Sequence, residues 1–218
     1  KYLYHYKFIY SFMDSGFSSI YNGIKYPLKN ERIPLQNADT IDFLSSNLYY
    51  ELNNMIKIKN KTKISVAPCT FKNYSGLYSD KEKQYYIIFC SRLTSIKNPM
   101  LFMKSIKIFN SFSNHTNRVL FQVLGEGWQK ANMVSYMEKE NIKNVKFYGH
   151  VQNPTDFLKK SIIFISIQQN NNYPSQSLLE AMACENAIIA RDVGETRKIV
   201  TENEGILVNL DANDIAIA

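Results

Sequence analysis

Residues 85–112, YYIIFCSRLTSIKNPMLFMKSIKIFNSF, decide the fold. The first six are continuously apolar, which is typical of a strand buried on both faces of a sheet. From Pro99 to Phe112 the apolar residues recur at helical spacing, and proline is favoured in the first turn of a helix. A buried strand followed by an amphipathic helix predicts the first half of a β-α-β unit.

The same alternation continues downstream. Its predicted strands are 119–124, 145–148, 162–167, 187–190 and 206–208, and its predicted helices are 128–140, 153–158, 177–184, 195–200 and 211–218. This pattern predicts an α/β fold with a Rossmann-like, doubly wound parallel sheet and right-handed crossovers. Ligands of such sheets bind beyond the carboxyl ends of the strands, near the point where the strand order reverses.

Upstream of residue 70 the pattern is weaker. Residues 40–44 and 64–67 are predicted strands and 46–55 a predicted helix, whereas 1–37 show little periodicity. The polar, glycine-containing stretch 70–83 predicts a linker. We therefore expect residues 1–69 to be a partial N-terminal segment and residues 70–218 to form the domain of the large sheet.

Composition narrows the function only slightly. The chain has 218 residues, 45% hydrophobic and 21% charged, with a formal net charge of +7. Such a surplus suits nucleic acid, an anionic membrane surface or a phosphorylated ligand, or it has no functional meaning, since the 26 Lys and Arg are spread along the whole chain. No aromatic-interleaved basic patch favours nucleic acid. The three cysteines lack a CxxC spacing and the three histidines lack metal spacing, so we expect no disulfide framework, no metal and a reducing cytoplasm.

Two cations follow the first strand of the large sheet. Arg92 carries a planar fork of donors that suits phosphate oxygens, and Lys97 carries a compact positive charge. Both precede a helix whose N-terminus adds partial positive charge. The pair is either a phosphate-binding group or two solvated surface cations.

Two further stretches stand at predicted strand ends. Gly125 and Gly127 would let a backbone approach a ligand, but the third glycine of GxGxxG is absent, which disfavours a dinucleotide oxidoreductase. Residues 168–183, QQNNNYPSQSLLEAMA, run from a strand into a helix. Backbone amides near Ser175 could bind a diphosphate, unless Ser175 or Ser177 caps the helix.

Glu180 is the one acid near the start of that helix. A carboxylate there could accept hydrogen bonds from two ribose hydroxyls, or it could simply interact with the helix dipole. His150 lies on the ligand side of the predicted sheet, and we interpret it as a loop residue rather than a catalyst.

Taken together, these stretches resemble the donor-binding domain of retaining glycosyltransferases of the two-domain GT-B architecture, in the group 1 or family 4 class. The similarity covers roughly residues 39–215. It rests on five motifs in the family's order, at 91–98, 125–127, 145–151, 174–183 and 192–208.

The resemblance implies a role for each matching residue. Arg92 and Lys97 would neutralise the leaving diphosphate, and Glu180 would hold the ribose. The other residues implied in the nucleotide-sugar site are Gly125, Gly127, Gly149, His150, Val151, Asn172, Tyr173, Pro174, Ser175, Gln176, Ser177 and Leu178. The implied reaction is sugar transfer from a UDP-, GDP- or ADP-sugar with retained anomeric configuration, without cofactor or metal.

The resemblance also implies an acceptor and a location. The acceptor is expected to be a saccharide or a lipid-linked molecule of cell-surface polysaccharide synthesis. The protein is expected in the cytoplasm, in peripheral contact with the inner face of the membrane. No nucleic acid partner is expected. The segment 1–69 would be the tail of the acceptor-side domain. Because the rest of that domain and the family's C-terminal helices are missing, we expect the chain alone to bind weakly and turn over poorly.

Four positions depart from the family pattern. Asn171 or Asn172 stands where the family has the first acid of a paired-Glu motif, and an amide cannot stabilise positive charge as a carboxylate does. This leaves open a non-catalytic nucleotide-binding or regulatory module on the same fold. Ser91 and Glu185 each replace a glycine, and Arg191 replaces threonine or serine.

Overall fold

The structure, a computed structural model, describes residues 9–12, 36–55, 58–59, 61–67, 73–77, 82–112 and 116–218. The chain divides into two compact units, one of residues 1–71 with 172–174 and one of residues 72–171 with 175–218. His5, Cys69, His115 and half of the predicted linker, residues 70–72 and 78–81, lie outside the described residues.

The first unit contains a parallel sheet in the order β1-β2-β3. Its strands are β1 (Ile9–Phe12), β2 (Thr40–Phe43) and β3 (Lys63–Val66). Helix α1 (Ser46–Met55) follows β2, and its Leu48 and Leu52 pack with Ile41 and Phe43 of the strand. Strand β1 falls where the sequence showed little periodicity, and it was not predicted.

The second unit alternates strands and helices as predicted. Its strands are β4 (Gln84–Cys90), β5 (Leu120–Leu124), β6 (Val145–Gly149), β7 (Ser161–Ser166), β8 (Ala187–Arg191) and β9 (Gly205–Val208). Its helices are α2 (Pro99–Phe112), α3 (Lys130–Lys139), α4 (Thr155–Leu158), α5 (Gln176–Ala183) and α6 (Ala212–Ile217).

The six strands form one parallel sheet in the order β6-β5-β4-β7-β8-β9. The chain starts at β4, builds outward through β5 and β6, and then returns to the other side of β4 for the last three strands. The predicted fold class, a doubly wound Rossmann-like sheet, is therefore confirmed. The strand order reverses between β4 and β7, and this is where such sheets bind ligands.

Both faces of this sheet are covered, which explains the continuous apolar run in β4. Ile87 and Phe89 belong to one core cluster with Phe102 of α2 and Met133 of α3. Ile88, between them, belongs to a second cluster with residues of α4 and α5, because successive strand side chains point to opposite faces.

The predicted helix at 195–200 is wrong in extent. Only a 3-10 turn, Thr196–Lys198, forms there. The Thr196 hydroxyl donates to the carbonyl oxygen of Val193 at 2.7 Å, a local bond that competes with a regular helix.

Candidate functional site

A narrow crevice opens at the carboxyl ends of β4 and β7, where the strand order reverses. Its walls come from the ends of these two strands, the loop after β4 and the start of α5. Its polar lining residues are Ser91, Lys97, Ser166, Gln168, Ser175 and Ser177. Three residues predicted from sequence, Lys97, Ser175 and Ser177, thus meet in one place.

Lys97 reaches the crevice because a 3-10 turn, Ser95–Lys97, is fastened to the loop after β7. The Asn98 side chain donates from Nδ2 to the carbonyl oxygen of Ile167 at 2.8 Å. The backbone N–H of Gln169 donates to the carbonyl oxygen of Ile96 at 2.6 Å. These two bonds hold the turn from both sides and fix where the Lys97 side chain starts.

The electrostatics at Lys97 favour an anionic ligand. The ammonium is half-buried, and its pKa is lowered, first by burial and then by the positive charge of Arg92. Arg92 itself is exposed, and neither cation pairs with a carboxylate in the described part of the chain. The solvated-cation interpretation therefore fails for Lys97, whereas Arg92 does face solvent.

The start of α5 offers uncapped backbone amides. Ser175 occupies the N-cap position, but its hydroxyl makes no capping hydrogen bond and lies 3.3 Å from the hydroxyl of Ser177. The alternative that a serine caps this helix is therefore wrong. The first ladder bond runs from Leu179 N–H to the Ser175 carbonyl, so the N–H groups of Ser177 and Leu178 have no acceptor among the residues described.

Glu180 lies one turn further along α5 and does not line the crevice. Its negative charge nevertheless reaches Cys90, a lining residue at the end of β4. The pKa of the Cys90 thiol is raised to about 11, first by burial and then by Glu180. The carboxylate is thus close to the same edge of the sheet.

Gly125 and Gly127 are required by packing within the protein. A Cβ on Gly125 would collide with the Ser91 carbonyl, and one on Gly127 would collide with the Leu93 carbonyl. The Leu93 N–H donates to the Glu126 carbonyl at 2.9 Å, which holds the two loops together. Both glycines have positive φ, 126° and 158°.

The remaining predicted residues do not line the crevice. Gly149 is the last residue of β6, and His150 and Val151 follow it; this strand lies two strands, or about 10 Å, from β4. His150 is exposed and Val151 is half-buried. Asn172, Tyr173 and Pro174 belong to the first unit. The side chain of Gln176 accepts a hydrogen bond from the Tyr74 hydroxyl at 2.6 Å.

Sequence reasoning missed Ser166 and Gln168. Both are more than 90% buried, although they are polar and stand at a strand end. The one available signal was their position: a serine and a glutamine interrupt the apolar pattern at the carboxyl end of β7.

A larger hollow lies beside the edge strand β9, lined by residues 200–203, 205–207 and Arg197. Arg197 is engaged by Asp192, to which it donates from Nε at 2.7 Å. This hollow is away from the reversal of strand order and gathers no unpaired cations, so we place the candidate site in the smaller crevice. In the described residues, no group of three or more His, Cys, Asp or Glu forms a metal-binding cluster.

Comparison with known proteins decides the family. Residues 72–218 match the family model described as glycosyl transferases group 1. The chain belongs to this family. The match begins at the first residue of the second unit and covers the whole six-stranded sheet.

A curated protein with a similar sequence comes from Campylobacter jejuni. It is named GalNAc-alpha-(1->4)-GalNAc-alpha-(1->3)-diNAcBac-PP-undecaprenol alpha-1,4-N-acetyl-D-galactosaminyltransferase, and it is 25% identical over 193 residues. The match covers 88% of this chain and 51% of the relative. This group 1 chain therefore spans about half the length of that enzyme.

Solved structures share the fold at low identity. S. aureus TarM, in complex with UDP among other ligands, matches with a TM-score of 0.77 and 19% identity, over 97% of this chain and 42% of TarM. Anabaena HepE, in complex with UDP and glucose, matches with a TM-score of 0.72 and 13% identity, over 97% and 60%. Sucrose-phosphate synthase from Thermosynechococcus elongatus matches with 0.72 and 15%, over 99% and 58%.

None of the described helices combines the length and the hydropathy that a membrane span requires.

Proposed function

We propose that this chain carries the donor site of a glycosyltransferase, which transfers a sugar from a nucleoside diphosphate sugar to an acceptor. One observation carries the proposal: a half-buried lysine with no carboxylate partner in the described residues faces the uncapped start of α5 at the reversal of strand order. Family membership and the shared fold support the same activity.

The crevice would act on the leaving group. Sugar transfer develops negative charge on the departing diphosphate, and preorganised donors aimed at that charge stabilise the transition state. Lys97 and the amide of Ser177 supply such donors at the crevice, the next amide of α5, that of Leu178, follows directly, and the positive charge of Arg92 acts on Lys97. We propose that these groups take the place of a metal ion.

The nucleoside would lie along the carboxyl edge of the sheet. Glu180, near Cys90 at the end of β4, is proposed to accept hydrogen bonds from the ribose hydroxyls. Gly149, His150 and Val151, about 10 Å away at the carboxyl end of β6, are proposed to contact the base. Retention of anomeric configuration belongs to the same proposal.

The acceptor and the biological role are proposed from similarity. The name of the Campylobacter relative places its acceptor on an undecaprenol diphosphate. We infer a saccharide or lipid-linked acceptor for this protein as well, used in surface polysaccharide synthesis at the cytoplasmic face of a membrane.

A non-catalytic nucleotide-binding module is the second candidate. The Asn171 side chain packs against the backbone of Gly194, and its buried Oδ1 has no hydrogen-bond partner among the residues that the structure describes. An amide in this segment binds hydroxyls but cannot stabilise a cationic sugar as an acid does. Binding without turnover would favour this candidate.

The test begins with binding. We expect one of UDP-, GDP- or ADP-sugars to raise the melting temperature of the chain by mass action. Lys97→Ala should remove most of that shift, whereas Lys104→Ala, which removes the same charge from an exposed position on α2, should leave it unchanged. A folded chain whose melting temperature responds to none of the three donors would contradict the proposal.

Turnover is tested next on a protein that includes the acceptor-side domain. Donor hydrolysis or transfer that is lost in Lys97→Ala supports the enzyme. The anomeric configuration of the product, read by nuclear magnetic resonance, separates retention from inversion.

A further inference from the structure

Gln168 is a nearly buried amide that lines the crevice. Its exposed fraction is 5%, and it follows the last apolar residue after β7. Neither the family motifs nor the roles proposed above use its side chain. A buried carboxamide ordinarily satisfies both its acceptor oxygen and its N–H groups, so its partners can be counted.

The oxygen of this carboxamide is already engaged. The Ser166 hydroxyl, itself 6% exposed, donates to Gln168 Oε1 at 2.8 Å. The backbone carbonyl of Gln168 accepts a hydrogen bond from Arg191 Nη1 at 3.3 Å, and Arg191 also donates to the carbonyl of Gln169. Backbone and side chain are therefore both held in place.

The nitrogen of the carboxamide is left over. Across the described ranges, Gln168 Nε2 takes part in no hydrogen bond. Because the oxygen faces Ser166 and the residue lines the crevice, the two N–H groups are left for whatever occupies the crevice. The other polar groups around that space are the ammonium of Lys97 and the hydroxyls of Ser175 and Ser177.

We propose that Gln168 is a further ligand-binding residue, which donates a hydrogen bond from Nε2 to a phosphate oxygen of the diphosphate, with Ser166 as its positioning residue. This inference rests on the proposed function. A neutral donor is suited to the place, since burial and then the charge of Arg92 already lower the pKa of Lys97, and a third cation would add to the repulsion. Hydrogen bonds to a charged acceptor are also stronger than those between neutral groups.

The test compares variants of the 218-residue chain by calorimetry with UDP, GDP, ADP and inorganic pyrophosphate. Gln168→Met keeps the length of the side chain and removes the donor. Gln168→Glu keeps an oxygen for the Ser166 hydroxyl but presents a second oxygen, with negative charge, to the ligand. Gln169→Glu places the same charge on the adjacent, exposed residue and is the matched control.

We expect Gln168→Met to weaken binding of the diphosphate about tenfold, which is the size typical of a lost hydrogen bond to a charged group. Gln168→Glu should weaken it further, and Gln169→Glu should change it by no more than about twofold, as expected for a solvent-screened charge. Affinity for the matching nucleoside, which has no phosphate, should be unchanged in Gln168→Met.

The outcomes separate the two proposals. If the wild type binds a diphosphate and Lys97→Ala weakens it while Gln168→Met binds as tightly as wild type, the role of Gln168 is overturned alone. Equal losses for nucleoside and diphosphate would overturn it too, because they indicate a purely structural role. If the folded wild type binds none of the four probes, the donor site itself fails. Gln168→Met buries no new charge, so it remains informative if Gln168→Glu does not fold.

Discussion

The pKa of the Lys97 ammonium is set by the surroundings of the side chain in the fold. Burial and the charge of Arg92 both lower the pKa of its ammonium, so the charged form is less favoured here than in solvent. A bound diphosphate reverses this, because an anion nearby favours the charged form. Binding therefore requires that Lys97 takes up or keeps a proton.

The pH dependence of diphosphate affinity follows from this linkage. Affinity should be constant while free Lys97 is protonated and should fall as pH rises through its lowered pKa, beginning below the range of an ordinary lysine. Lys97→Arg keeps its charge throughout and should lack this fall. Titration calorimetry of the wild type and Lys97→Arg over this pH range tests the prediction. If the affinity of both proteins falls equally at alkaline pH, a group other than Lys97 causes the fall.

Glu185 has a backbone conformation that disfavours a residue with a Cβ. It follows α5 in a left-handed conformation with φ of 58°, and its N–H donates to the Met182 carbonyl at 2.9 Å. The next N–H, of Asn186, donates to the Ala181 carbonyl at 3.0 Å, which completes a Schellman motif. Glycine is favoured at this position because it has no Cβ.

Glu185→Gly should therefore raise the free energy of unfolding by about 1 kcal/mol. Glu185→Ala, which removes the carboxylate but keeps a Cβ, should give no such gain. Chemical denaturation measures both. An equal gain from alanine would attribute the effect to the lost charge instead.

At the scale of elements, the carboxyl edge of the sheet is a set of interlocked loops. The loop after β4 lies directly against the Gly125–Gly127 loop after β5, without room for a Cβ on either glycine. The same loop is tied to the segment after β7 through Asn98 and Gln169. The position of Lys97 thus depends on three strand ends at once.

Gly125→Ala tests this interlocking. The new Cβ would meet the Ser91 carbonyl, which belongs to backbone and cannot move like a flexible side chain. Gly76→Ala is the control, since Gly76 also has positive φ but nothing lies within 4 Å of the added Cβ. We expect Gly125→Ala to cost at least about 1 kcal/mol more of unfolding free energy than Gly76→Ala, the scale of an overpacked site. Equal costs by denaturation would argue against close loop packing.

The second unit could be predicted closely from sequence because its signals are local. The apolar run of β4 and the helical spacing of α2 lie within single windows of the chain. The turn at Ser95–Lys97 was missed because Asn98 and Gln169, which hold it, bond across about 70 residues of sequence. The pairing of Ser166 with Gln168 was missed for a different reason: burial of a polar strand end is visible only once both faces of the sheet are covered.

At the scale of the whole molecule, the candidate crevice belongs to a single unit. Every residue that lines it falls between 72 and 218, as does the family match. We therefore expect the segment 72–218 to bind a nucleoside diphosphate with an affinity within a few-fold of that of the 218-residue chain. Calorimetry on the two proteins checks this. If the segment folds but does not bind the nucleoside diphosphate, residues 1–71 contribute to binding.

The spacing of β6 and β4 on one sheet predicts how an intact nucleotide and its separate fragments differ in affinity. In the proposed site the sheet holds the base-binding end of β6 and the diphosphate-binding end of β4 at a constant separation, so an intact nucleotide would present its second half at a high effective concentration once the first half is bound. Nucleoside and pyrophosphate, added as separate molecules, each lose their own translational freedom and should bind feebly even together. Joined by a covalent bond, the same atoms should bind far more tightly than either fragment, and a nucleotide stretched or shortened between its base and its phosphates should lose that advantage.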